Sequence, residues 1–267
     1  MDNGEPSFVD TLAAHHRVIV LDNAGTGETS ALTAPLTITK MAVQTSAFIT
    51  TLHLRGPAVL GWSMGGMIAQ TLAVLYPWQV SRLILAATQP GNGGALPIPA
   101  SVLAEQGSTN LATVIGLLFP PDQEAVGLAY FEAIFQYPDF YAAPAAAASA
   151  QLAAALSWIA GHELVGHLVG LVHVPTLGRG RNAGQVRPVA NDYLLARSIP
   201  GARLVLYPDA GHGFLFVSGM ERYVASGVQS GRRHAELALE HGIAVHRASL
   251  EWTRSAIAAL AEPAPSR

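Results

Sequence analysis

The chain has 267 residues, of which 50% are hydrophobic and 12% charged, with a formal net charge of −3. This composition favours one large packed domain or two small ones and excludes a disordered chain, and the weakly acidic balance excludes a basic surface for nucleic acid. Cysteine is absent, which excludes disulfides, thiolate metal sites and cysteine nucleophiles and fits a reducing, cytoplasmic location.

Neither a signal peptide nor a membrane span is expected. The N-terminus has no basic region followed by an apolar run. An alanine-rich stretch near residues 142–160 approaches the length of a membrane span, but it contains Pro144, Ser149, Gln151 and Ser157. We interpret it as a partly buried helix, and we predict no membrane partner.

Short apolar runs alternate with longer segments of helical pattern. The predicted strands are, in order, Arg17–Asp22, Ala58–Gly61, Arg82–Thr88, Val172–Leu177 and Arg203–Tyr207. The predicted helices are Ser7–His15, Thr39–Leu54, Met64–Tyr76 and Pro188–Ser198. This order predicts an α/β fold, with a mostly parallel sheet flanked by helices.

Residues 96–170 interrupt that alternation. The segment is rich in alanine, proline and aromatic residues, and we predict that it is a helical cap inserted over one end of the sheet. Residues 1–95 and 171–227 would then form the core. Residues 228–267 have the pattern of one or two amphipathic helices and are predicted to form a C-terminal helical tail.

The sequence GWSMG at residues 61–65 places Ser63 between the second predicted strand and the helix that follows it. Ser63 is either a nucleophile on a sharp turn or only a small residue at a bend. Gly61 and Gly65 stand where side chains are expected to clash in so tight a turn. The N-terminus of the next helix would direct backbone N–H groups and a positive dipole toward a developing oxyanion, which favours the nucleophile.

Three further stretches accompany this motif: DNAGTGETS at 22–30, PTL at 175–177 and IPGARLVLYPDAGHGF at 199–214. With them, the chain resembles the α/β-hydrolase family over roughly residues 7–217. In DNAGTGETS, Gly25 and Gly27 are interpreted as turn glycines and not as part of a dinucleotide site, and Ala24 replaces the family's arginine.

The resemblance implies roles for particular residues. Ser63 would be the nucleophile, His212 the base, and Met64 the residue whose N–H binds the oxyanion. Trp62 and Phe214, which adjoin these residues, would contact the substrate. No cofactor and no metal are implied; His162 and His167 lie five residues apart and share a helix face poorly.

The family's catalytic acid is missing from its usual place. Anchoring on the PTL stretch and on Pro188 puts Gly184 where an aspartate is expected, and residues 178–188 contain neither Asp nor Glu. Asp192 is expected to be solvated or to cap a helix, and Asp209 to fix the histidine loop, while Glu163 is a remote candidate. We therefore predict that no carboxylate contacts the second ring nitrogen of His212.

The beginning of the chain also departs from the family. We expect an incomplete N-terminus, in which the histidine–glycine loop that supplies the second oxyanion N–H and the first three strands of the fold are missing. Three arrangements follow: Arg17–Asp22 pairs directly with Ala58–Gly61, another segment fills the gap, or the chain is a truncated product.

Three functions are compatible with these features. The first is a serine hydrolase whose small-molecule substrate is an apolar carboxylic ester. A homodimer is compatible with this function. The second is a catalytically impaired relative that serves as a binding or structural protein. The third, which no residue selects, is a cofactor-free haloperoxidase or oxygenase.

Overall fold

The computed structural model describes residues 6–106, 108, 110–136, 143–174, 176–181, 188–207 and 211–216. The helices in these ranges are α1 (Pro6–Ala13), α2 (Ile38–Thr51), α3 (Met64–Leu75), α4 (Ala100–Glu105), α5 (Leu111–Leu118), α6 (Glu124–Phe135), α7 (Ala145–Ile159) and α8 (Ala190–Ser198). The strands are β1 (Ala58–Trp62), β2 (Arg82–Ala86), β3 (Thr176–Arg181) and β4 (Arg203–Tyr207). Short 3₁₀ helices cover Pro77–Gln79, Pro121–Gln123, Leu164–Leu171 and Phe214–Phe216.

The four described strands form one parallel sheet in the order β1-β2-β3-β4. Trp62 pairs with Ala86, and Ala86 pairs with Arg179, so the carboxyl ends of the first three strands meet at one edge. Parallel neighbours require crossover connections, and helices supply them. The predicted α/β class is confirmed.

The core lies around α3, where eight consecutive residues from Gly66 to Ala73 are buried. Leu72 of α3 packs in the same apolar cluster as Met41 of α2, Leu83 of β2 and Trp158 of α7. A helix that is buried on all its faces is expected only where other elements surround it. The helix α3, which follows Ser63, therefore lies in the interior of the described structure.

The third strand lies further along the chain than predicted. The apolar pattern indicates Val172–Leu177, but β3 is Thr176–Arg181 and includes the sequence GRGR. Val172 is fully buried just before the strand begins. Pairing with β2 on one side and β4 on the other sets this register, and apolar content does not.

The prediction of a strand at Arg17–Asp22 is wrong. These residues are described but have no strand conformation, and β1 forms the edge of the described sheet. Val20 remains 39% exposed and Leu60 of β1 37% exposed. A β-branched run becomes a strand only when its backbone groups meet a partner. Direct pairing between this run and β1 is thus excluded, and no other described segment fills the place beside β1.

The helical segment at residues 96–170 contains α4 to α7, as the sequence predicts, and its role as a separate cap stays a prediction. The predicted C-terminal tail at 228–267 lies outside the described residues. No single helix among those described combines the length and apolar character needed to span a membrane. The pair Ala145–Ile159 and Leu164–Leu171 reaches them only together, across a bend of 59°.

Candidate active site

Ser63 occupies a sharp turn between the last residue of β1 and the first residue of α3. Its backbone has φ 54° and ψ −121°, a region that a residue with a side chain enters at a cost of about 1–3 kcal/mol. The Ser63 N–H donates to the carbonyl of Ala86 at 2.9 Å, which ties the turn to the end of β2. The predicted strand–turn–helix geometry is confirmed.

The glycines around the turn differ in how much space surrounds their Cβ positions. A Cβ on Gly61 would collide with the backbone of Gly65 and Gly66, and a Cβ on Gly66 would collide with Thr88. A Cβ on Gly65 would meet nothing within 4 Å. The expectation of a clash is therefore right for Gly61 and wrong for Gly65. Gly65 faces open space on the first turn of α3, and the second close contact falls one residue later.

The histidine predicted as the base lies beside this serine. His212 Nε2 and Ser63 Oγ are 2.9 Å apart, and His212 is only 5% exposed. If the ring proton sits on Nδ1, then Nε2 accepts a hydrogen bond from the serine hydroxyl. This arrangement can take a proton from Ser63 and return it to a neighbouring atom.

The peptide group between His212 and Gly213 makes a hydrogen bond at its carbonyl and another at its N–H. The indole Nε1–H of Trp62 donates to the His212 carbonyl at 2.9 Å, and the Gly213 N–H donates to the carbonyl of Leu118 at 2.7 Å. A Cβ on Gly211 would collide with the Leu118 carbonyl, and one on Gly213 with the ring of Phe119. These two glycines therefore permit close packing of the histidine loop against the end of α5.

Two other predicted site residues have a defined place but an untested role. Met64 is the first residue of α3, so its N–H has no acceptor within the helix and is free to face a developing oxyanion. Phe214 begins the 3₁₀ turn that follows His212 and is half-buried. Substrate contacts by Trp62 and Phe214 stay predictions.

Aromatic residues that the sequence analysis did not single out surround the histidine loop. The Phe216 ring lies 4.9 Å from that of Trp62 and 5.5 Å from that of Tyr130, measured between centroids. Phe8 of α1 and Phe119 after α5 complete the group, which we call the aromatic cluster. The sequence signal was the pair of phenylalanines in GHGFLF, two and four residues after the histidine.

The carboxylates considered as replacements for the missing acid lie in different environments. Glu163 accepts hydrogen bonds from Ile38 N and Thr39 N at 3.0 and 2.8 Å, which engages it at the start of α2. Asp192 is 4% exposed in the first turn of α8, so the expectation that it is solvated is wrong. Its helix packs against β3 and β4 and takes the residue out of water. Gly184 and Asp209 lie outside the described residues, so the predicted absence of a carboxylate at the second nitrogen of His212 stays a prediction.

Two open depressions on the surface of the described part of the chain lie away from Ser63 and His212. One is bordered by Tyr193 and Arg197 of α8 and by Leu204 of β4, the other by His53 at the end of α2 and by Trp78. Neither is lined by Ser63 or His212. Within the described ranges, no group of three or more His, Asp or Glu residues is placed to hold a metal ion.

Comparison with known proteins gives a consistent set of similarities. A solved structure described as an alpha/beta hydrolase fold protein from Chitinophaga pinensis superimposes with a TM-score of 0.72 at 25% identity, over 86% of this chain and 85% of that one. A pimeloyl-[acyl-carrier protein] methyl ester esterase from Aromatoleum aromaticum is 31% identical over 179 residues, which are 58% of this chain and 66% of that protein.

A protein from Pseudomonas savastanoi pv. phaseolicola, provisionally named carbamate hydrolase RutD, is 28% identical over 222 residues, 77% of this chain and 81% of that protein. The first curated relatives are matched over only 30–32% of their own length. A model of the alpha/beta hydrolase family matches residues 4–226. With the parallel sheet and the strand–turn–helix at Ser63, this match shows that the chain belongs to the alpha/beta hydrolase family.

Proposed function

We propose that this chain is a serine hydrolase of small, apolar carboxylic esters, in which Ser63 is the nucleophile and His212 the general base. The observation that carries the proposal is the 2.9 Å separation of Ser63 Oγ and His212 Nε2 at a strained turn. A hydroxyl is a weak nucleophile until a neighbouring base accepts its proton. Backbone strain maintained beside a buried histidine fits a site kept for chemistry.

The proposed reaction has two stages, acylation of Ser63 and hydrolysis of the acyl group. Ser63 Oγ bonds to the ester carbonyl carbon as its proton passes to His212 Nε2, and the carbonyl oxygen becomes an oxyanion near the Met64 N–H. The bond to the alcohol oxygen then breaks, and the alcohol leaves with the proton from Nε2. Water attacks the acyl group on Ser63 by the same route, which releases the carboxylic acid and restores the hydroxyl.

The apolar surroundings of the histidine support the choice of substrate class. The Trp62 ring lies 5.1 Å from the His212 ring between centroids, Phe216 packs on Trp62, and Tyr130 packs on Phe216, so aromatic carbon adjoins the histidine. Such walls favour apolar acyl or alcohol groups over charged ones. The relative from Aromatoleum aromaticum, named as a methyl ester esterase, supports the same bond type.

The test is hydrolysis of p-nitrophenyl acetate and butyrate by the full chain, with Ser63→Ala as the matched control. Alanine keeps the backbone strain of the turn and removes only the hydroxyl. We expect turnover in the parent that Ser63→Ala and His212→Gln both reduce by roughly 10- to 100-fold, since the part of the usual loss that depends on a catalytic acid is already absent. A parent rate equal to that of Ser63→Ala would refute the proposal.

The second candidate is a catalytically impaired relative with a binding or structural role. The absence of Asp and Glu from residues 178–188 favours it, because removing the acid from a serine protease triad costs roughly 10⁴-fold in kcat. The two functions are separated by an active-site label. A fluorophosphonate that modifies Ser63 in the parent, but not in a His212→Gln variant, supports the enzyme, and a Ser63 that resists labelling supports the impaired relative.

A further inference from the structure

Trp62, expected from the sequence to contact substrate, makes its polar contact with the protein itself. Its indole Nε1–H donates to the His212 carbonyl at 2.9 Å, and its ring lies 5.1 Å from the imidazole between centroids. Trp62 directly precedes Ser63 in the chain. The residue before the proposed nucleophile thus holds the backbone of the proposed base.

The opposite side of the same peptide group is held by a different part of the chain. The His212 carbonyl and the Gly213 N–H belong to one planar peptide unit, and the N–H donates to Leu118 at 2.7 Å. Leu118 is the last residue of α5, so its carbonyl has no acceptor role within that helix and is available to a donor outside it. Fixing both polar ends of a planar unit prevents its rotation.

This double restraint compensates for the two glycines beside His212. Glycine has the widest backbone freedom, so the sequence Gly211–His212–Gly213 would leave an unrestrained imidazole poorly aimed. Leu118 and Phe119 instead press on both glycines so closely that a Cβ on either would collide with them. The backbone that carries the imidazole is therefore clamped between the turn at Ser63 and the end of α5.

We propose that Trp62 is a positioning residue for the reaction, because its indole N–H and the Leu118 carbonyl together hold the His212–Gly213 peptide so that Nε2 faces Ser63 Oγ. The inference rests on the proposed hydrolase function. An imidazole displaced by about 1 Å transfers the serine proton far less efficiently, whereas substrate binding does not depend on that alignment. Loss of the indole N–H should thus affect kcat more than KM.

The first test is Trp62→Phe in the full chain, which keeps an aromatic ring against Phe216 and removes the N–H donor. With p-nitrophenyl butyrate we expect kcat to fall about tenfold and KM to stay within about twofold, as expected for loss of one buried hydrogen bond expressed in the transition state. The matched control is Trp78→Phe, since Trp78 is 71% exposed and makes its ring contact with Tyr76. That variant should keep the parent values.

The second test reads the hydrogen bond without turnover. The chain has four tryptophans, so the ¹⁵N–¹H spectrum has four indole N–H signals, and Trp62→Phe and Trp78→Phe assign two of them. We expect the Trp62 indole proton to exchange with water at least tenfold more slowly than that of Trp78. Equal exchange rates, or a Trp62→Phe variant with the parent kcat, would overturn the proposal.

The two tests also separate this inference from the function on which it rests. If the parent turns over no faster than Ser63→Ala, the hydrolase function fails. A protected Trp62 indole then still supports the restraint of the His212 peptide, and a rapidly exchanging one refutes it. If Ser63-dependent turnover exists and Trp62→Phe raises KM while leaving kcat unchanged, Trp62 is a substrate contact and not a positioning residue.

Discussion

Glu163 binds Thr39 twice: one of its carboxylate oxygens accepts from the Thr39 backbone N–H at 2.8 Å and from the Thr39 hydroxyl at 2.6 Å. The other oxygen accepts from the Ile38 N–H at 3.0 Å, while the Thr37 hydroxyl accepts from Lys40 N at 3.0 Å. The first three N–H groups of α2 are thereby satisfied. A carboxylate at a helix N-terminus also interacts favourably with the helix dipole.

Glu163→Gln should destabilise the protein without impairing catalysis. The amide keeps one acceptor but loses the charge, so we expect the free energy of unfolding to fall by about 1–2 kcal/mol in urea titration. Ester kcat/KM of the folded variant should stay within about twofold of the parent value. Glu132→Gln, on an exposed site of α6, is the control and should change stability by less than about 0.5 kcal/mol. A large loss of kcat with little loss of stability would instead make Glu163 the missing acid.

Gly65→Ala and Gly66→Ala should have opposite effects on stability. Gly65 lies in the first turn of α3 with open space around its Cβ position, so alanine should stabilise the helix by about 0.5–1 kcal/mol. Alanine at Gly66 would strike Thr88, which is itself buried, and should cost about 1–3 kcal/mol. Urea midpoints of the two variants measured side by side check the difference. Equal destabilisation by both would mean that the Cβ position of Gly65 is as confined as that of Gly66.

The sequence predicts the turn at Ser63 well because its causes are local. A strand, a residue in a strained conformation and a helix follow one another within a few positions, and Gly61 and Gly66 make room for close backbone contacts. The position of β3 could not be predicted in the same way. Its residues have little apolar character, and its register depends on two neighbouring strands that are distant in sequence.

Contacts across long sequence separations account for the other differences. The run at Arg17–Asp22 has strand propensity but no partner in the described sheet, so propensity does not decide its conformation. Glu163 reaches Thr39 across 124 residues, and Trp62 reaches the carbonyl of His212 across 150. No sequence pattern marks such pairs in a single chain. The residue types are recognisable from the sequence, but their partners follow from packing alone.

His53→Gly should stabilise the protein. His53 has φ 52° just after α2, where its N–H donates to Thr50 and the next N–H, of Leu54, donates to Ile49. This pair of bonds forms the helix ending that glycine adopts without steric cost. Because His53 is exposed, little packing is lost, and we expect a gain of about 0.5–1 kcal/mol in the free energy of unfolding. The same change at exposed Ala47, inside α2, should cost about 1 kcal/mol.

Gly184→Asp should increase ester hydrolysis. Residues 178–188 contain no acidic side chain, and alignment on the flanking stretches puts Gly184 at the family's acid position. An aspartate there would hold the His212 tautomer and stabilise the imidazolium that forms during attack. Arg179 and Arg181 lie nearby in sequence, and pairing with either would draw the new carboxylate away from the histidine.

The measurement is kcat/KM for p-nitrophenyl butyrate in the parent, in Gly184→Asp, and in Gly184→Asp combined with Ser63→Ala. Gly184→Asn is the matched control, since it adds similar volume but no charge. An increase of about tenfold or more that requires both the carboxylate and Ser63 supports the placement of the acid. A folded Gly184→Asp variant no faster than Gly184→Asn would show that this position does not face His212. The Trp62 and Leu118 contacts would in that case still hold the backbone of His212.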